Sequence, residues 1–282
     1  MDVLVVGATG NVGRQVVAQL VERNVSVRAL ARRPAEAGLP ADVEVAGGDL
    51  NELDGLRWAL RGVGSVFAMW PLHNGDAAPG VMDTIAASTE RLVLLSSAAA
   101  RPEADRANPI SATHLAVEEA AERAGLAWTF LQPRGFATNT LTFASQIRAG
   151  DVVRGMHGDM AMTLVHEADM AAVAVQALTS DGHVGARYEL TGPELIRQSE
   201  QVQIIGEVLG RPIRWAEVSR AVAREQMLDA VPEDYVDRML DAYARLAETE
   251  PAPPTTTVEE VTGVSARPYR QWVADHRADF TA

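Results

Sequence analysis

The stretch DVLVVGATGNVG, residues 2–13, decides the fold of this chain. Its first five residues form an apolar run rich in β-branched side chains, and glycines follow at positions 7, 10 and 13. Valine and leucine side chains then recur at helical spacing, at positions 12, 16, 17, 20 and 21. The stretch therefore predicts a strand, a tight glycine turn and an amphipathic helix, in that order.

The spacing of the glycines indicates a phosphate-binding turn. Gly7 lets the chain leave the strand sharply, Gly10 lets a pyrophosphate approach the backbone at the helix N-terminus, and Gly13 lets the helix pack close to the strand. The alternative is a glycine-rich turn that binds nothing. Because a strand precedes the glycines and a helix follows them, the context favours a dinucleotide-binding site.

Composition narrows the class of protein. The chain has 282 residues, a net charge of −13 and no cysteine. The negative charge argues against nucleic acids and anionic membranes as partners, and the lack of cysteine excludes disulfides, thiol catalysis and cysteine-bound metals. No apolar run reaches the length of a membrane span and no basic leader precedes the first strand, so we expect a cytoplasmic protein. All 25 lysine or arginine positions hold arginine.

Strands and helices alternate through the first half of the chain. We predict a loop at 71–79, helices at 53–61 and 108–124, and further strands at 25–31, 43–47, 65–70, 92–96 and 127–131. Such alternation with short links predicts an α/β fold, a Rossmann-type doubly wound parallel sheet with helices on both faces. Ligands then bind where the carboxyl ends of the strands open.

The pattern loosens after about residue 136. We predict an exposed linker at 251–257, short strands at 188–191 and 214–218, and helices at 139–148, 167–179, 198–209, 220–247 and 269–280. Tyr269, Trp272 and Phe280 are available to dock the last helix. The expected domains are a dinucleotide-binding Rossmann core at 1–135 and a mixed segment at 136–282. That segment completes the core and forms a small C-terminal substrate-covering region.

Two arginines end the second predicted strand, where NAD-binding sites carry an acidic residue about twenty positions past the glycines. Arg32 and Arg33 can fork onto a 2′-phosphate, so their position favours NADPH over NADH. The alternative is a solvated arginine pair at a strand end. Asp49, after the third strand, is placed to meet the adenine edge, with Leu50 packing on the ring. A turn residue or a helix cap is the alternative for Asp49.

Motifs along the chain resemble one family. GATGNVGR, VRALAR, GDL, LSS and LQPRGF, which begin at positions 7, 27, 48, 95 and 131, together resemble the NmrA-like group of atypical short-chain dehydrogenases/reductases. Three later motifs also look like that group: YELTGPE, EVLGRPIR and RPYRQWVADHRADF. The resemblance covers nearly the whole chain. It implies a Rossmann fold with a dinucleotide cofactor, and it does not specify the reaction.

The resemblance also implies which residues meet the cofactor. The pyrophosphate would be held by Gly7, Thr9, Gly10, Asn11 and Val12. The 2′-phosphate would meet Arg32 and Arg33, and the adenine would lie between Asp49 and Leu50. The backbone after the fourth strand would line the ribose, through Ala68, Met69 and Trp70. Pro133 and Phe136 would lie by the nicotinamide.

The catalytic pair of the wider superfamily is absent. Those enzymes reduce carbonyls with a tyrosine and a lysine four positions on, assisted by a serine. This chain has no lysine, and all its tyrosines lie at position 188 or later. Ser96 and Ser97 stand where the family's serine lies, and His114 stands where relatives often carry lysine. Glu118 shares a helical face with His114 and could orient its imidazole.

Milder interpretations of these residues remain open. Ser96 and Ser97 could only satisfy backbone groups, and His114 could only contact the nicotinamide ribose. No metal is predicted, because no ligand spacing with carboxylates is found around His73, His157 and His166. An apolar substrate pocket and plain core are equal alternatives for a set of large side chains, namely Trp70, Phe136, Met156, Met160 and Met162.

The predicted function is an NADPH-dependent reductase that transfers hydride to the carbonyl of an apolar small molecule. An aromatic polyketide ketone is the preferred substrate, as in ketoreductases of polyketide antibiotic tailoring that lack the Tyr–Lys pair. Protonation would come from water, from a substrate hydroxyl, or from His114. The alternatives are an NADP(H)-sensing regulatory protein without turnover, and a quinone reductase or epimerase on the same scaffold. We expect a monomer or a homodimer.

Overall fold

The computed structural model describes residues 2–72, 74–101, 108–228 and 233–281. Within them the strands, in chain order, are β1 (Asp2–Val6), β2 (Val27–Ala31), β3 (Glu44–Gly47), β4 (Val63–Met69), β5 (Arg91–Leu95), β6 (Ala127–Pro133), β7 (Gly135–Phe136), β8 (Val152–Gly155), β9 (Ala161–Met162), β10 (Leu164–Val165), β11 (Arg187–Leu190), β12 (Ile196–Arg197) and β13 (Arg214–Glu217).

The α-helices of the same residues, again in chain order, are α1 (Asn11–Glu22), α2 (Leu53–Ala59), α3 (Ala78–Ala86), α4 (Pro109–Arg123), α5 (Ala144–Ala149), α6 (Glu167–Thr179), α7 (Gln198–Leu209), α8 (Arg220–Leu228), α9 (Glu233–Glu248), α10 (Thr257–Thr262) and α11 (Tyr269–Asp275). Short 3-10 helices lie at Pro34–Glu36, Ala137–Phe143 and Arg277–Phe280. No helix of the described residues is long and apolar enough to cross a membrane.

The chain divides into two compact units. The first comprises residues 1–134, 167–190 and 257–265, and the second comprises residues 135–166, 191–256 and 266–282. The segment after residue 135 therefore returns twice to the first unit. The substrate-covering role expected for 136–282 stays a prediction.

A seven-stranded parallel sheet forms the centre of the first unit, in the order β11-β6-β5-β4-β1-β2-β3. The predicted doubly wound parallel sheet is thereby confirmed. Strand order reverses between β1 and β4, and in such sheets ligands bind at this switch point, outside the carboxyl ends of the strands. Gly7 follows β1 there and Trp70 follows β4.

Apolar side chains pack the helices of the first unit against this sheet. Helices α2, α3 and α4 share one buried cluster with β1, β4, β5 and β6. Helix α1 packs on α6 instead and buries its predicted stripe of valines and Leu20. The residue pattern of α1 thus has the helical period that burial on one face requires.

The glycine turn has the local geometry that its spacing predicts. Gly7 has φ +84°, a left-handed conformation that favours glycine. A Cβ on Gly13 would lie only 2.0 Å from the carbonyl oxygen of Gly7, so no side chain fits where α1 crosses the turn. Gly10 is different, because a Cβ there would meet its nearest neighbour at 3.4 Å. Glycine is therefore required for folding at positions 7 and 13 but not at position 10.

The second unit contains short paired strands and a buried aromatic cluster. Strand β8 pairs with β13 in parallel, β9 pairs with β12 antiparallel, and β7 pairs with β10 in parallel. Tyr269, Trp272 and Phe280 are all buried, and they share a core with apolar residues of α5 and α7. The prediction that these aromatic residues dock the chain's last helix is confirmed.

Sequence analysis did not predict two of the helices. Helix α3 begins inside the predicted loop at 71–79, and it was missed because Pro79 and Gly80 are residues typical of loops. Proline is compatible with the first turn of a helix, and Val81, Met82 and Ile85 then bury one face. Helix α10 begins at the last residue of the predicted linker at 251–257 and packs on α6 through buried Val258.

We expect Gly13→Ala to lower the free energy of unfolding by about 3 kcal/mol or more, because its methyl group overlaps a backbone carbonyl that cannot move without opening the turn. Gly10→Ala is the matched control and should change stability by less than about 1 kcal/mol, since its backbone conformation suits an L-residue. Thermal and denaturant unfolding of both variants measure the difference. Equal destabilisation by the two substitutions would contradict the assigned packing.

Candidate cofactor and active site

The N-terminus of α1 offers unpaired backbone donors at the switch point. Gly10 is the N-cap, has an extended backbone, and makes no side-chain cap hydrogen bond. The first helical bond runs from the Arg14 N–H to the Gly10 carbonyl, at 2.9 Å. The N–H groups of the first turn therefore lack intrahelical partners and point out of the helix end. Such a turn, without an acidic residue, fits a phosphate group.

The two arginines after β2 are exposed. Arg33 forms an ion pair with Glu36, and both side chains are more than half exposed. Arg32 is exposed and forms no ion pair with any described residue. Their exposure leaves both guanidinium groups accessible to a 2′-phosphate, and the role stays a prediction.

The residues expected around adenine lie in a turn and in the core. Asp49 Oδ1 accepts hydrogen bonds from the backbone N–H and the side-chain amide of Asn51, at 2.9 and 3.0 Å. Asp49 therefore has the turn role that was the alternative for it. Leu50 is only 5% exposed and packs in the apolar cluster of the first unit, which leaves little of it to face an adenine ring.

The end of β4 lies against the glycine turn. Carbon atoms of Met69 lie 3.2 Å from the place that a Cβ on Gly7 would occupy, and Ala68 before it is buried. Trp70 is 8% exposed, belongs to the core of the first unit, and donates its indole N–H to the carbonyl of Asn74 at 2.8 Å. The Trp70 side chain therefore fixes the loop after β4.

A buried carboxylate joins the ends of β5 and β6. Glu118, on α4, is 2% exposed and accepts hydrogen bonds from the Ser96 hydroxyl at 2.5 Å and from the Gln132 side chain at 2.9 Å. Arg187 of β11 forms an ion pair with it, and the guanidinium stacks over the aromatic pair Trp128 and Phe130. Burial raises the pKa of Glu118, while the hydrogen bonds and Arg187 oppose the rise.

This network corrects one prediction. Glu118 was expected to orient the imidazole of His114, but its oxygens accept from Ser96, Gln132 and Arg187 instead. Sequence analysis missed Gln132 and Arg187, which lie 14 and 69 positions from Glu118. No local spacing signals such pairs. Ser97 has the milder role, since its hydroxyl accepts a hydrogen bond from the Ala99 N–H at 3.2 Å.

His114 lies on α4 one turn before Glu118 and is partly buried. Burial lowers its pKa from the ordinary value of 6.5 to about 4. The imidazole is therefore neutral at physiological pH, and it cannot deliver a proton as an imidazolium ion there.

Among the tyrosines whose side chains are described, none bonds to the Ser96 hydroxyl, which donates to Glu118 instead. Tyr188 is the second residue of β11, at its amino end, and its hydroxyl bonds to His183 at 2.7 Å. Tyr269 is buried in the core of the second unit, and Tyr243 is exposed on α9. The side chain of Tyr235 lies outside the described residues.

The residues expected near nicotinamide and substrate fall in both units. Pro133 ends β6 in the first unit, and its carbonyl accepts from the Ala98 N–H at 3.1 Å. Phe136 lies in β7 of the second unit. Met160 is buried, whereas Met156 packs against the small cluster formed by α8 and α9. Their substrate roles stay predictions.

Two of the three histidines that were considered for a metal site, His157 and His166, lie within the described residues. His166 Nε2 lies 3.2 Å from an oxygen of Asp275, and His157 has φ +60°. Within the described ranges, no group of three potential ligands could hold a metal ion. His73, which the sequence analysis also considered, lies outside those ranges.

Comparison with known proteins agrees with this geometry. A family model described as NAD(P)H-binding matches residues 7–181, which begin at the first glycine of the turn and include the Ser96–Glu118 network. The chain belongs to this NAD(P)H-binding family. A Streptomyces griseus protein named (4-alkanoyl-5-oxo-2,5-dihydrofuran-3-yl)methyl phosphate reductase is 38% identical over 281 residues, and 99% of each chain is covered.

A second relative is also named as a reductase. The NAD(P)H azoreductase of Xenophilus azovorans is 33% identical over 288 residues, with 99% of each chain covered. Among solved structures, a triphenylmethane reductase of Citrobacter superposes with a TM-score of 0.81 at 22% identity, covering 98% of this chain and 99% of the other. That likeness shows the fold. The family and these full-length relatives make the protein an NAD(P)H-dependent oxidoreductase of the atypical short-chain type.

We expect Glu118→Ala to cost about 3 kcal/mol of stability, because it leaves the buried hydroxyl of Ser96 and the amide of Gln132 without their acceptor. Glu122→Ala is the control, since Glu122 meets the same Arg187 in a pair about 40% exposed on both sides. That surface pair should contribute less than about 1 kcal/mol. Denaturant unfolding compares the two variants. An equal loss of unfolding free energy in both variants would contradict a stabilising role for the buried hydrogen bonds of Glu118.

Proposed function

We propose that the protein is an NADPH-dependent reductase of an apolar carbonyl compound that either leaves a delocalised anion after hydride transfer, as a quinone does, or carries a neighbouring hydroxyl that protonates the new alkoxide. An aromatic polyketide ketone is one such compound. The observation that carries the proposal is that the Ser96 hydroxyl donates to the buried carboxylate of Glu118, in a chain that has no lysine and in which no described tyrosine bonds to Ser96. Burial also lowers the pKa of His114 to about 4, which disfavours its imidazolium form. The chain therefore offers no tyrosine–lysine pair as proton donor. An acceptor that keeps its new electron pair as a delocalised anion does not need one.

The residues of the first unit fit the cofactor. The first turn of α1 would hold the pyrophosphate through its N–H groups and the helix dipole. Arg32 and Arg33 would hold the 2′-phosphate. NADPH supplies a hydride when bound, and the hydride acceptor then takes its proton from water or from its own hydroxyl.

The names of relatives support an electron-poor acceptor. The substrate named for the Streptomyces griseus relative is a dihydrofuranone ring whose alkanoyl group stands next to the ring carbonyl. The relative from Xenophilus azovorans is named for azo compounds. The named furanone has an alkanoyl group and the ring carbonyl on its ring double bond, and an azo compound is reduced at a nitrogen–nitrogen double bond, so neither is a simple alkyl ketone. These names favour a conjugated acceptor for this chain over an isolated alkyl ketone.

The cofactor preference is tested by binding. NADPH should bind at least tenfold more tightly than NADH, which is about 1.4 kcal/mol and corresponds to one charge-assisted phosphate contact. Calorimetry with both cofactors measures this ratio in the wild type, in Arg32→Ala and in Arg33→Ala. At least one of the two variants should lose the preference. Equal affinities in the wild type, or a full preference in both variants, would contradict the assignment.

The source of the proton is tested by kinetics. If the substrate or water supplies it, His114→Ala should lose less than about tenfold in kcat, and the rate should show no inflection near pH 6.5, because the imidazole is already neutral above about pH 4. A hydroxyaryl ketone or a quinone should be reduced faster than an isolated alkyl ketone of similar size. Steady-state rates with NADPH between pH 5.5 and 8 measure both effects.

Methylating the hydroxyl beside the ketone is the matched substrate control. It should stop turnover while leaving binding intact if that hydroxyl provides the proton. A thousandfold loss in His114→Ala alone would identify the imidazole as the donor and sink the proposal. A wild type that binds NADPH but reduces no carbonyl compound, quinone or azo compound would favour an NADP(H)-sensing protein.

A further inference from the structure

The side chain of Arg14 bridges two segments that are assigned to the cofactor. Its Nε donates to the carbonyl of Thr9, inside the glycine turn, at 3.0 Å. Its two terminal nitrogens donate to the carbonyls of Gly38 and Ala37, each at 2.8 Å. One guanidinium therefore links the turn after β1 to the loop after β2, across 23 and 24 positions of sequence.

The bridge completes the anchoring of a short segment. Residues 32–36 carry both arginines and are held at their beginning by β2, where Ala31 pairs with Gly47 of β3. Arg14 holds the end of the segment at Ala37, which is only 2% exposed. Anchoring at both ends restricts the places that Arg32 and Arg33 can take relative to the glycine turn.

The loop is shaped to pass against this guanidinium. Gly38 has φ +57°, and a Cβ there would lie 3.7 and 3.8 Å from the two terminal nitrogens of Arg14. The three acceptors of the Arg14 guanidinium are neutral carbonyls, and Arg14 forms no ion pair within the described residues. Its positive charge is therefore uncompensated beside the expected phosphates, in contrast to Arg33, which pairs with Glu36.

We propose that Arg14 is a positioning residue that determines the selectivity for NADPH. It holds Arg32 and Arg33 at the distance from the glycine turn that the 2′-phosphate and the pyrophosphate of one cofactor require. The inference rests on the proposed NADPH preference and deepens it. The bridge requires a planar group with several donors, because one side chain must reach three carbonyls in two segments. A lysine at this position would carry the same charge, but its single ammonium group cannot reach all three carbonyls and so cannot form the bridge.

The test compares Arg14→Met, Arg14→Lys and Arg23→Met. Arg23 follows the same helix, and its described contact is a single 3.3 Å bond to the side chain of Gln176, so it controls for loss of one charge on α1. Dissociation constants for NADPH and NADH are measured by calorimetry, with melting temperature as the readout of folding. The NADPH/NADH affinity ratio should fall at least fivefold in both Arg14 variants and stay unchanged in Arg23→Met.

A double-mutant cycle separates positioning from direct charge. If Arg14 acts through the segment 32–36, Arg14→Met should not lower the ratio further in a chain that already carries Arg32→Ala and Arg33→Ala. An unchanged ratio in Arg14→Met, a ratio restored by Arg14→Lys, or full additivity in the cycle would each overturn the inference. A wild type without NADPH preference is a different failure, visible before any variant is made, and it would remove the proposed preference together with the inference.

Discussion

The close passage of α1 over the carbonyl of Gly7 is the constraint on which the first unit depends. The missing side chain at Gly13 lets the helix begin directly above the end of β1. The N–H groups of its first turn then face the point where the strand order reverses. A helix displaced by one methyl group would separate the positive end of its dipole from that point. Gly13 therefore meets the packing requirement of the helix, whereas Gly10 leaves room for the expected phosphate.

All cationic side chains of this protein other than histidine are arginines, since the sequence contains no lysine. Glu118 is buried and accepts hydrogen bonds from Ser96, which follows β5, from Gln132 of β6 and from Arg187 of β11. His114 is neutral because its surroundings do not solvate a cation. In the first unit, the arginines Arg14 and Arg187 hold backbone segments and the Glu118 carboxylate in place.

Local signals in the sequence predicted much of this fold. Strand–glycine–helix order at 2–22 and the alternation that follows were sufficient for the parallel sheet, and helices α6 and α7 have the predicted bounds. Helix α3 was missed because its proline and glycine lie in the first turn, where they are tolerated. The Glu118 network and the Arg14 bridge join residues far apart in sequence, so no periodicity records them. Leu50 shows a related limit, since its spacing does not reveal that the side chain is only 5% exposed and packs in the apolar cluster of the first unit.

The first unit is discontinuous in sequence, so it cannot complete its folding until late in the synthesis of the chain on the ribosome. Its sheet is closed at one edge by β11, and α6 is covered by α10, which ends at residue 262. An emerging chain that has released only its first 134 residues still lacks that edge strand and both helices. Chains fold from the N-terminus as they leave the ribosome, but this domain cannot finish in that order. Its completion waits until nearly the whole polypeptide has been made, so a premature stop between α6 and α10 leaves α6 without the helix that packs on it.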